Sequence, residues 1–138
     1  MLHHRDLSPD ECLAHLREAE VGRMAVSTPG GPHIVPLTYV LHDGRVVVRT
    51  SPWSIVGTHA REGLVAFEVD ALDVASRSGW SVVVRGRGEF VTDPAQLAAV
   101  RECWPVPWAA GTRTLVVALP TTDVTGRSFG ASSVAHSA

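Results

Sequence analysis

Three short β-branched runs, joined by a tight turn and a polar crossing, dominate the sequence between Pro32 and Asp70. Ile34–Leu41 and Arg45–Thr50 flank His42-Asp43-Gly44, and that spacing predicts an antiparallel hairpin. Leu64–Asp70 alternates, with Val65, Phe67 and Val69 on one face and Leu64, Ala66 and Glu68 on the other, which predicts a half-buried strand. Between them the crossing from Ser51 to Gly63 is polar. Arg49, Thr50, Ser51, Ser54 and Thr58 put one cation and several hydroxyls where a strand ends, a setting suited to an anionic ligand.

The flanking text extends this β-rich pattern. Ser8, Pro9 and Glu11 form a capping-box start for a helix, with Leu7 and Cys12 at the staple positions, Leu13 and Leu16 inward and Gly22 as the stop. Gly22–Thr28 reads as a strand that Pro29-Gly30-Gly31 turns into the hairpin. Ala71–Gly79 reads as an irregular loop. Trp80–Val91 reads as the longest strand, with Gly86 and Gly88 on one face marking close backbone approach or a barrel corner. A second helix is expected from Pro94 to Cys103, broken by Trp104-Pro105-Val106-Pro107-Trp108. A last strand is expected over Leu115–Leu119. The expected fold is mainly β (α+β): a six-stranded antiparallel split β-barrel with short flanking helices, in one domain over 7–130. Residues 1–6 and 131–138 are expected to be flexible termini.

Composition narrows the function classes. With 45% apolar and 19% charged residues, the 138-residue chain is long enough to bury a core. A net charge of -2 without a basic stripe argues against nucleic acid. Cys12 and Cys103 lack metal or nucleophile signatures and fit a reducing, cytoplasmic compartment; no apolar run is long enough for a membrane span. Seven histidines show no ligand spacing beyond a terminal dipeptide, so no metal site is expected. There is no GxSxG, GxGxxG or Walker loop. Glu68 and Asp70 share a strand face, and their expected state is solvated. Trp53 and Trp80 suit a planar ligand as well as a core.

The stretches VGRMAVSTPGGPHIVPLTYVLHDGRVVVRT, VAFEVD, GWSVVVRGRGEFV and DVTGRSF, in this order, resemble the pyridoxamine 5'-phosphate oxidase-like split barrels that bind flavin mononucleotide (FMN). The likeness is nearest to their small nitroimidazole-reductase-like branch and covers nearly all of Leu7 to Phe129. It implies a homodimer with flavin at the subunit interface. Val35, Pro36, Leu37 and Thr38 would border the isoalloxazine through backbone groups. Arg49, Thr50 and Ser54 would approach the phosphate, and Trp80 and Ser81 the flavin edge. The pattern departs at Ile55, where the branch commonly carries a phosphate-binding lysine. The resemblance thus implies an FMN-dependent oxidoreductase of a small molecule, with no catalytic side chain identified. Two alternatives stay open: a non-catalytic protein that holds a flavin or deazaflavin (F420), and a dimeric scaffold without cofactor.

Overall fold

The computed structural model describes residues 4–104 and 114–130. In chain order these form β1 (His4–Asp6), α1 (Pro9–Glu18), β2 (Val21–Thr28), β3 (Gly31–His42), β4 (Arg45–Thr50), α2 (Ile55–His59), β5 (Leu64–Asp73), β6 (Ser78–Arg87), β7 (Glu89–Phe90), α3 (Pro94–Glu102), β8 (Leu115–Pro120) and β9 (Val124–Phe129). The strands join in one unclosed antiparallel sheet, in the order β1-β9-β6-β5-β2-β3-β4-β8-β7, which curls into a split barrel. All six expected strands are present, β1 and β9 add to them, and β7 is the detached end of the strand expected over Trp80–Val91.

The additions have local causes. The expected loop Ala71–Gly79 is instead a hairpin: β5 runs on to Asp73, which pairs with Ser78. Asp73 Oδ1 closes the turn by accepting from the Ala75 and Ser76 amides, at 3.0 and 3.3 Å. Arg77 (φ 54°) completes it. The strand expected over Trp80–Val91 breaks at Gly88, where a Cβ would lie 2.8 Å from the Ala60 carbonyl; the Gly88 amide donates to that carbonyl at 3.1 Å. His4–Asp6, expected in a flexible terminus, pairs with Arg127–Phe129 on β9. The segment from Pro105 to Trp108 and the tail after Gly130 lie outside the described residues.

Helix α1 starts as the sequence predicts. Ser8 Oγ accepts from the Glu11 amide at 3.2 Å, and Glu11 Oε1 accepts from the Ser8 amide at 2.9 Å. Arg5 forks onto the same carboxylate at 3.0 and 3.1 Å. Hydrogen bonding from Arg5, then from the Ser8 amide, lowers the Glu11 carboxyl to about 2. The helix ends before Ala19, so Gly22 is not its stop. Gly22 sits inside β2, where a Cβ would strike the Phe67 ring and come within 2.8 Å of the Glu68 carbonyl.

Two apolar clusters flank the sheet. Inside the curl, Met24, Val26, Tyr39, Val46, Val48, Phe67, Val69, Val82 and Val84 pack with Cys12 and Leu16 of α1. Tyr39 meets Phe67 edge-on at 5.1 Å, and its hydroxyl donates to the Leu16 carbonyl at 2.6 Å. On the other side of β4 and β8, Val47, Val116 and Ala118 pack with Val100 of α3. Residues 46–48 are therefore all buried because both faces of β4 are covered. No helix among the described residues is long and apolar enough to cross a membrane.

Candidate functional site

The barrel is split where β3 outruns β4. β3 pairs with β2 from Gly31 to Thr38, but with β4 only from Tyr39 to His42. Val35, Pro36, Leu37 and Thr38 therefore have no ladder on their β4 side among the described residues. Their side chains divide by strand period: Val35 and Leu37 pack on the core, whereas Pro36 faces out. The Tyr39 amide donates to Glu20 on the β2 side. Alternation then turns the main-chain groups of Ile34, Pro36 and Thr38 to the open edge. Pro36, which lacks an N–H, falls where no ladder bond is lost. The Thr38 carbonyl closes the Tyr39–Val48 end of the β4 ladder, so the open edge offers the amides of Ile34 and Thr38 and the carbonyls of Ile34 and Pro36, a donor–acceptor row that fits the polar rim of a planar heterocycle.

The crossing carries a structural feature that the sequence reading did not contain. Ser54 caps α2: its hydroxyl accepts from the Gly57 amide at 3.0 Å, donates to the Ser51 carbonyl at 2.8 Å, and meets Thr50 Oγ1 at 2.7 Å. A serine hydroxyl has one proton and two acceptor positions. Ser54 spends its proton on Ser51, so Thr50 is the donor between the two hydroxyls. Both protons are consumed internally, and neither is left for a phosphate. Arg49 projects from the opposite face of β4, with its guanidinium 5.5 Å from the Trp104 ring centroid. Ile55 occupies the first helical position with no charge. Thr50 and Ser54 come together, and Arg49 does not join them. The missed helix had one signal, a serine three residues before a glycine that can donate to it.

Trp80 and Ser81 alternate across β6. Trp80 stacks on His15 of α1, with centroids 4.3 Å apart, so its flat face is already occupied. Ser81 opens on the outer side, into a groove with Arg127 and Thr125. Between β6 and β3 lie β5 and β2, so Ser81 is three strand spacings, roughly 14 Å, from the open edge within one chain. Among the described residues no three His, Cys, Asp or Glu side chains gather as a metal site would require.

Glu68 and Asp70 are bridged rather than simply solvated. Arg23 Nη1 reaches Glu68 Oε1 at 3.2 Å and Asp70 Oδ2 at 3.4 Å. Burial, then hydrogen bonding and repulsion from Asp70, push the Glu68 carboxyl up to about 7, against the pull of Arg23. Between the usual 4.5 and 7 the folded chain holds more protons at this group than the unfolded chain. Glu68 therefore makes stability fall as pH rises through that window. Glu68→Gln should remove this downward slope in urea midpoints measured from pH 4.5 to 7.5; an unchanged slope would show that Glu68 ionises normally. The low Glu11 value acts separately, with stability lost as pH falls from 4.5 towards 2.

Fold and split edge together define a class of protein, and comparison with known proteins gives the family. The family model described as pyridoxamine 5'-phosphate oxidase matches residues 8–128, and the chain belongs to that family. A relative from Mycobacterium tuberculosis, the uncharacterized protein Rv0080, is 35% identical over 126 residues, covering 88% of this chain and 82% of the relative. The FAD binding protein from Mycobacterium smegmatis superimposes with a TM-score of 0.80 at 34% identity, over 91% of this chain and 98% of that one. An FAD-binding protein from Mesorhizobium loti gives 0.78 at 26%, over 94% and 99%. These findings place the chain in a flavin-binding family.

Proposed function

We propose that this chain is a flavin-dependent oxidoreductase of a small molecule and works as a homodimer, with FMN as the cofactor and the deazaflavin F420 as the alternative. The observation that carries this reading is the unladdered β3 edge at Ile34, Pro36 and Thr38. A bound flavin supplies hydride transfer. The protein's part is to hold the ring system in register through main-chain donors and acceptors, and to shut water from one face with Val35 and Leu37 behind the strand. The neighbours named for FAD support the flavin class.

The homodimer rests on two observations. Ser81 is far from the open edge of its own chain, so a second copy is the means of bringing that group to the ring. Ile34 and Leu64, 70% and 72% exposed on the outer face of the sheet, suit burial against such a copy.

With the Thr50 and Ser54 protons taken up within the crossing and Arg49 turned to Trp104, this reading puts recognition on the riboflavin part. Riboflavin and FMN should then bind within about threefold of each other, a difference under about 0.7 kcal/mol. Thr38→Pro deletes one edge donor at a strand edge that tolerates proline, and should weaken both flavins tenfold or more while far-UV dichroism is unchanged. Titration followed by flavin absorbance and fluorescence decides. If wild type binds no flavin at about 100 μM, the scaffold reading replaces this one. If Thr38→Pro binds as wild type does, the ring does not lie on this edge.

A further inference from the structure

The groove on the outer side of β6 and β9 has a chemistry of its own. It encloses about 620 Å³, within the range of small-molecule sites. Leu7, Val83 and Phe129 contribute apolar wall. Its base is fixed: the Leu7 amide donates to the Gly126 carbonyl at 2.9 Å, and a Cβ at Gly126 would lie 2.8 Å from Cys12 Sγ. Three polar side chains converge there. Ser81 stands directly across the strands from Arg127, and Val83 directly across from Thr125, so Ser81, Thr125 and Arg127 share one face. None of their side-chain groups is engaged in a hydrogen bond or ion pair among the described residues, although Asp6 of β1 lies beside Arg127 in the sheet. A guanidinium and two hydroxyl donors thus face one apolar wall, and the Asp6 carboxylate lines the same groove without bonding to any of the three.

We infer that this groove binds a small organic anion with a flat apolar body, its carboxylate on the Arg127 fork and the Thr125 and Ser81 hydroxyls, its body against Val83 and Phe129. The planar fork suits two carboxylate oxygens at once, which a lysine would not reproduce. Asp6 adds a selection rule: a second negative charge on the ligand is repelled, so monoanions are favoured over dianions. The inference deepens the flavin reading and rests on its homodimer: within one chain β5 and β2 separate the groove from the β3 edge, and the second copy that brings Ser81 to the ring sets this anion site beside it.

The test uses the full chain without added flavin, with benzoate, its neutral amide benzamide and the dianion phthalate as probes, followed by ligand-observed NMR and calorimetry. Benzoate should bind at least tenfold more tightly than benzamide or phthalate, and Arg127→Gln should abolish the preference. Arg127→Lys should recover only part of it. Equal binding of benzoate and benzamide, no binding of either, or an Arg127→Gln protein that keeps the preference would each overturn the inference. So would competitive displacement of benzoate by FMN together with tenfold weaker FMN binding in Arg127→Gln, since the anion would then be the cofactor's own phosphate. Flavin binding that fails while benzoate binding persists would sink only the flavin reading.

Discussion

Gly57→Ala should destabilise the protein by about 3 kcal/mol or more and open the Ser51–Gly63 crossing. Two effects compete at this position. Helix propensity favours alanine over glycine by about 1 kcal/mol, and Gly57 lies within α2. Against that, a Cβ there would overlap the Ser51 carbonyl oxygen and lie 3.0 and 3.1 Å from the carbonyl oxygen and carbon of Pro52. These are main-chain atoms, held by the same Ser54 hydroxyl that binds the Ser51 carbonyl and the Gly57 amide, so they cannot rotate away. The steric term wins. Urea unfolding of wild type and variant reads the difference; a variant within about 0.5 kcal/mol of wild type, or more stable, would mean that the crossing is looser than described.

Phe67→Ala should cost about 3–5 kcal/mol. The ring is fully buried, lies edge-on to Tyr39 and fills the space over Gly22. Removing it leaves a cavity between β2 and β5 that the paired strands cannot close. The same contact makes a second outcome specific. Gly22→Ala alone should be severely destabilising, because its methyl group would enter the ring. In the Phe67→Ala background that clash is gone, and only the Glu68 carbonyl at 2.8 Å remains to resist the new Cβ. The double variant should therefore lose clearly less than the two single losses added together. Strict additivity would place Gly22 and Phe67 out of contact.

Much of this fold was legible because its signals were local. The capping box at Ser8 and Glu11, the alternation through Val65, Phe67 and Val69, and the Asp43-Gly44 turn each need only a few neighbouring residues to be read. What escaped depended on partners distant in sequence. Val124–Phe129 carries one buried-side valine and two small residues, and becomes a strand by pairing with β6 and β1. Gly22 reads as a helix stop in the sequence, since nothing nearby announces a ring 45 positions on.

The candidate site divides in the same way. Its strand residues Val35, Pro36, Leu37 and Thr38 come from the resemblance, whereas the open edge on which they lie is a property of register. Arg49, Thr50 and Ser54 are close in sequence and looked like one cluster. Strand alternation sends Arg49 to the α3 side, and a helical cap absorbs the two hydroxyls. Sequence proximity is a poor guide to convergence wherever a strand meets a turn.

The open β3 edge also bears on how such a chain stays apart from others of its kind. A run of unladdered amides and carbonyls is a template on which a foreign strand can add, and the neighbouring Ile34, exposed on the same segment, would reward such addition. Pro36 sits in the middle of that run and removes one of its donors, and Pro32 stands near its start. A peptide strand needs an unbroken rhythm of donors and acceptors, whereas a compact heterocycle needs only one short stretch of it. The two prolines thus act as gatekeepers: they leave an edge that a small planar molecule can use and that cross-strand polymerisation cannot.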